Sequence, residues 1–248
     1  QPSPSIPSVY LCLIACALGS LNVLAFAPFS YYILSWILPG ALWYMVDHMH
    51  TRKPLTTACF FGIGYFATSI TWIHFAVNQV AYKAWYGWIV WSLLIAALAA
   101  LFVFQIGIWR CLKPRFSPLL YPILFAFIWC VNEWLRAYLL GGFPWLWIAY
   151  SQSESPLAGW LPLIGSPGLS FLVVLLSVWI VMRLVDLRGL KHLAPPFLAL
   201  FLCCFLGVFS REHAWTHQMK KGINVALVQG NVSLHEKWMS QNSQGIFN

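Results

Sequence analysis

Charge is what this sequence has least of. Charged residues make up 8% of its 248 positions, and only six are acidic. Soluble domains carry roughly 25%, so a water-exposed globular surface is excluded for most of the chain. Metal sets are missing as well. Of seven cysteines, Cys12, Cys16, Cys59, Cys130, Cys203 and Cys204 sit inside apolar runs, none in a C-x-x-C or His-paired pattern; they read as packing residues, with no metal site. There is no repeat of fixed period, no low-complexity stretch, no phosphate loop and no catalytic triad. The net charge of +8 forms no continuous basic stripe, which excludes nucleic acid as a partner.

What the sequence does have is apolar residue, 60% of the chain, in runs separated by short charged clusters. Seven segments emerge at 10–24, 31–46, 55–77, 85–109, 119–140, 161–182 and 193–209. Backbone polar groups in a bilayer must be satisfied internally, so these runs predict an all-α polytopic membrane bundle of about seven spans over residues 1–212. The first two are short and meet at Pro28, as a thin hairpin would. The first ends in Ala25-Phe26-Ala27, like a signal peptide, but no Lys or Arg precedes it, so it reads as a retained span.

Arg52 and Lys53, then Arg110, Lys113 and Arg115, then Arg183, Arg188 and Lys191 follow alternate segments, whereas the opposite loops contribute only Lys83 and Arg136. That asymmetry places the N-terminus inside, and an odd span count delivers the segment after Phe209 to the outer face. There the composition changes. The run Ile223 to Val228 reads as a buried strand, Gln229-Gly230-Asn231 as a turn, and the polar remainder cannot complete a sheet. Residues 213–248 are therefore expected to be the incomplete start of a soluble domain.

Four places invite a chemical reading. The longest connection, 139–160, contains Gly142, Pro144, Trp145, Trp147 and Tyr150, which suit either an aromatic belt at the headgroup layer or the wall of a lipid pocket. Glu133 and Arg136 lie one helical turn apart; they are expected to pair with each other at a helix end, the alternative being contact with a lipid headgroup. His74 reads as a packed or interfacial histidine, with Asn78 one turn later on its face. Gly165 and Gly168 flank Ser166-Pro167 as a helix entry with small packing residues. Polar residues are too few within the spans for a transporter.

The order of Ala25-Phe26-Ala27-Pro28-Phe29, Asn132-Glu133-Trp134-Leu135-Arg136, Gly142-Phe143-Pro144-Trp145 with Tyr150-Ser151-Gln152, Val228-Gln229-Gly230-Asn231 and Lys237-Trp238 resembles bacterial apolipoprotein N-acyltransferase over essentially the whole chain. The resemblance implies a multi-pass protein of the bacterial inner membrane, N-terminus cytoplasmic and C-terminal segment periplasmic. It implies acyl transfer from a phospholipid to the N-terminal diacylglyceryl-cysteine of an apolipoprotein, without a cofactor. It also implies that the segment 213–248 begins a nitrilase-like αββα domain whose Glu-Lys-Cys triad falls beyond Asn248, so no catalytic residue is assigned here and this chain alone is expected to be inactive. The substrate-binding residues carried over are Trp238, Trp145 and Gly142, with a packing role for Trp238 as the alternative. The competing reading of the whole chain is a non-enzymatic membrane anchor for a polyprenol-phosphate mannose synthase.

Overall fold

The structure, a computed structural model, describes residues 8–47, 49, 53–80, 83, 85–185, 193–216, 222 and 224–229. Eight α-helices form among them: α1 (Ser8–Leu21), α2 (Leu38–Asp47), α3 (Pro54–Ser69), α4 (Trp72–Val80), α5 (Trp85–Leu112), α6 (Tyr121–Tyr138), α7 (Leu161–Val185) and α8 (Ala194–Arg211). The basic residues Arg52, Arg188 and Lys191, and Trp238, lie outside the described residues.

Against the seven expected spans, four helices among the described residues are long and apolar enough to cross a membrane, or five if the broken pair α3 and α4 counts as one. At about 1.5 Å per residue, the 28 residues of α5 reach about 42 Å, enough for the hydrocarbon core. The first two expected spans fall short of this. α1 has 14 residues before its chain tightens into a 3₁₀ turn at Asn22–Ala25, and α2 has ten. The third is interrupted at Ile70 and Thr71. Before the break the Thr68 hydroxyl donates back to the Gly64 carbonyl (3.0 Å) and after it the His74 ring engages the Thr71 carbonyl, local bonds of the kind that compete with an uninterrupted helix. The expected strand is not seen either. Ile223 lies outside the described residues, and 224–229 are irregular, with Leu227 and Val228 more than 90% exposed. A strand needs an edge to pair with, and the rest of the described chain is helical.

Contacts divide the chain into two units. The larger comprises Gln1–Ser69 and Ile95–His213. Within it α1 lies against α3 at backbone distance because Gly19 and Gly64 stand at the contact: a Cβ on Gly19 would strike the Phe61 carbonyl, and one on Gly64 the Cys16 carbonyl. Between membrane helices dispersion replaces the hydrophobic drive, so close backbone approach is what stabilises the pair. α2 meets α7 in the same way, where the otherwise orphaned Gly40 N–H donates to Ser177 Oγ (2.9 Å). α8 is joined to the 3₁₀ turn Pro156–Trp160 by Gly207 against Gly159, with Ser210 Oγ donating to the Gly159 carbonyl and Trp160 Nε1 to that of Cys203 (both 2.9 Å). The middle is aromatic: Phe61, Tyr65, Phe66, Phe102 and Trp129 meet tilted or edge-on at 5.0–6.2 Å.

The second unit comprises Ile70–Leu94 and the segment from Ala214. In it His74 is buried between Phe75 and Trp88, its ring centroid 3.9 and 4.0 Å from theirs, and Asn78 Oδ1 accepts from Gly87 N (3.0 Å). His74 is thus packed among aromatic rings, as the sequence suggested.

Candidate functional site

The connection after α6 is a built loop. Phe143 N donates to the Arg136 carbonyl (2.7 Å), so the chain leaves the helix by folding back on its last turn. Gly141 and Gly142 take left-handed φ of +90° and +83°, and a Cβ on Gly142 would overlap the Ala137 carbonyl whereas one on Gly141 meets nothing within 4 Å. Gly142→Ala is therefore expected to cost about 1–3 kcal/mol and Gly141→Ala the lower end of that range, read as the shift in thermal unfolding of the two variants. Equal shifts would mean that the Ala137 contact does not constrain the turn.

Leu146 is also left-handed, at φ +62°, which costs a side-chain-bearing residue roughly 1–2 kcal/mol. The neighbouring helices hold it there. Tyr65 Oη from α3 (2.9 Å) and Arg136 Nη2 from α6 (3.1 Å) both donate to the Leu146 carbonyl. The Arg136 guanidinium also lies over the Phe66 ring, 5.3 Å from its centroid. Two residues on, Ile148 N donates to Glu133 Oε1 (2.8 Å), which also accepts from Trp129 Nε1 (3.1 Å), and Ala149 N donates to Ser170 Oγ of α7 (3.3 Å).

Glu133 and Arg136 do stand beside one buried cavity as opposite charges, but no direct ion pair joins them: each hydrogen-bonds loop backbone. The exit of the chain from α6 brings those backbone groups within reach, which helical spacing could not show. Headgroup contact does not fit either. Both side chains are about 95% buried, and the cavity they line with Tyr65, Phe66, Trp129 and Asn132 has about 10 Å³, room for about one water at most.

The far end of the loop is tied to the turn Tyr32–Trp36. Ser151 Oγ donates to the Ile148 carbonyl (2.6 Å), so its oxygen accepts from Ser35 Oγ and Gln152 Nε2 (both 2.8 Å), and Trp36 Nε1 donates to Gln152 Oε1 (2.9 Å). The aromatic rings then sort by side. Trp145 and Tyr150 are about half exposed, and Trp147, expected at the headgroup layer with them, is buried. Trp134 and Tyr138 on the last turns of α6 add two more exposed rings. Of the three carried-over residues, the loop brings Gly142 and Trp145 within one turn of chain, and Trp238 lies outside the described residues. Tyr65 and Gln105 were missed. Gln105 accepts from Asn132 Nδ2 (2.6 Å), and the signal available for each was one polar group inside an otherwise apolar run.

A family model described as the apolipoprotein N-acyltransferase N-terminal domain matches residues 18–179. Curated proteins named apolipoprotein N-acyltransferase match nearly the whole chain. That of Pseudomonas paraeruginosa strain PA7 is 33% identical over 233 residues, covering 91% of this chain and 45% of its own. The relative from Pseudomonas syringae pv. tomato is 32% identical with 92% and 46% covered, and that from Nitrosomonas europaea 30% with 94% and 46%. The chain spans about half the length of the curated relatives it matches.

Proposed function

Because this chain belongs to the apolipoprotein N-acyltransferase family, we propose that it forms the membrane part of an enzyme moving an acyl chain from a phospholipid to the α-amino group of a diacylglyceryl-modified N-terminal cysteine. The observation that carries the reading is the loop around Trp145. Three helices fix its backbone and half-exposed rings face outward from it, an arrangement suited to the bilayer surface, where donor and acceptor both reside. In this reading Gly142 lets the chain turn tightly at the pocket mouth, Trp145 packs against lipid, and Trp238 contacts substrate from the soluble side.

The covalent chemistry belongs to the Glu-Lys-Cys triad that the resemblance implies, assigned to no residue of 1–248. Its cysteine thiolate would attack the phospholipid ester, forming a thioester and releasing lysophospholipid. The lipoprotein amine would then attack the thioester, forming an amide and returning the thiol. In this reading the protein lies in the bacterial inner membrane with its N-terminus cytoplasmic and the segment after α8 periplasmic. Counting α3 and α4 as one span gives five, still an odd number, with the short α1 and α2 returning the chain to its side of entry.

The test is the full gene product in proteoliposomes of acyl-labelled phosphatidylethanolamine with a synthetic diacylglyceryl-cysteine peptide. Label in amide linkage on the peptide is the expected result. No transfer from any phospholipid, with a polyprenol-phosphate mannose synthase co-purifying instead, would replace this reading by the membrane anchor.

A further inference from the structure

The loop turn at Leu146 is occupied by a residue poorly suited to it. Glycine enters φ near +60° without steric cost and leucine does not, yet leucine stands at +62°. Its carbonyl accepts from two buried donors on two different helices, Tyr65 Oη at 2.9 Å and Arg136 Nη2 at 3.1 Å, so both lone pairs of that oxygen are used. The guanidinium stacked on Phe66 and the Tyr65 ring packed edge-on against Phe66 keep the donors in place.

We propose that Tyr65 and Arg136 are positioning residues that impose the left-handed turn at Leu146 and thereby set the outward aim of Trp145. The turn stands between an exposed Trp145 and a buried Trp147, so the direction in which the chain enters it decides how Trp145 is presented. Because leucine needs the two donors, the presentation of Trp145 is conditional on α3 and α6 being packed together. A loop with glycine at 146 would depend on that packing less, because glycine bears no steric cost at positive φ. What Trp145 then touches rests on the function proposed above; the clamp itself does not, and its test requires no activity.

The test is amide hydrogen exchange of the full gene product in nanodiscs, followed in peptides covering 143–149. Tyr65→Phe removes one hydroxyl and leaves the ring packing intact. It is expected to raise exchange there about fivefold, the factor equivalent to one hydrogen bond, with peptides of α7 unchanged. Leu146→Gly added to Tyr65→Phe is expected to return the loop to within about twofold of the parent, since removing leucine's steric cost at positive φ offsets the lost bond. Arg136→Gln with and without Leu146→Gly repeats the comparison from α6. The proposal is overturned if Tyr65→Phe leaves the loop's exchange unchanged. It is equally overturned if glycine at 146 raises exchange further, because two ordinary structural bonds would then account for everything seen.

Discussion

Glu133→Leu is expected to destabilise the bundle by about 2–4 kcal/mol, and Glu133→Gln by less than about 1 kcal/mol. Leucine fills similar space but removes the one oxygen that accepts from both Ile148 N and Trp129 Nε1. Two buried donors are then stranded, at about 1–3 kcal/mol each. Polar contacts between membrane helices average only about 0.6 kcal/mol, because polar groups in the unfolded membrane state also find partners. That discount applies to Trp129, which stays on its helix. It applies less to Ile148, a loop amide that is solvated when the loop is released. Glutamine keeps a carbonyl oxygen at the same place, so its small cost separates the acceptor role from the charge. Denaturant unfolding of both variants in nanodiscs measures the difference, and equal losses would mean that the charge, rather than the acceptor, holds the loop.

Gly64→Ala is expected to cost more than about 3 kcal/mol, while Gly107→Ala is expected to stabilise by about 0.5–1 kcal/mol. The two glycines are both helical but meet different surroundings. A methyl at 64 would overlap the Cys16 carbonyl oxygen and stand 2.9 Å from Ser20 N. These are backbone atoms that move only if α1 moves. A methyl at 107 meets nothing within 4 Å, leaving only the gain in helix propensity. Melting temperatures of the two variants should therefore move in opposite directions; the same sign for both would show that α1 and α3 are not packed through Gly64.

The long spans were legible because each is an apolar run of spanning length, α7 even across a break at Gly165, which takes a left-handed φ of +65° just ahead of Pro167. The expected 85–109 and 161–182 are α5 and α7 with ends extended by three residues, at Leu112 and Val185. The break at Ile70 was hidden because isoleucine is apolar and no Pro or Gly marks it. The run 223–228 misled because β-branched composition reports what a strand would look like and says nothing of a partner edge. At the candidate site, composition singled out the connection 139–160, which the structure shows as a hydrogen-bonded loop containing Gly142 and Trp145. The helical period correctly placed Glu133 and Arg136 on one face, but their partners are backbone atoms up to 15 residues later. No periodicity encodes such contacts. Trp145 and Trp147 look alike as amphipathic rings; that the first is exposed and the second buried is set by the left-handed turn between them at Leu146, a tertiary property.

The ties that close this loop are spread along the chain in a way that bears on its synthesis. Tyr65, Glu133 and Arg136 precede the loop, as do Ser35 and Trp36, whose bonds to Ser151 and Gln152 join residues 116 positions apart. Ser170, which takes the Ala149 amide, follows it. An N-to-C emerging chain therefore has every early anchor in the membrane before the loop exists and lacks the last one until α7 arrives. The loop is thus set late, on a scaffold already assembled, and its α7 side stays open until Ser170 has emerged.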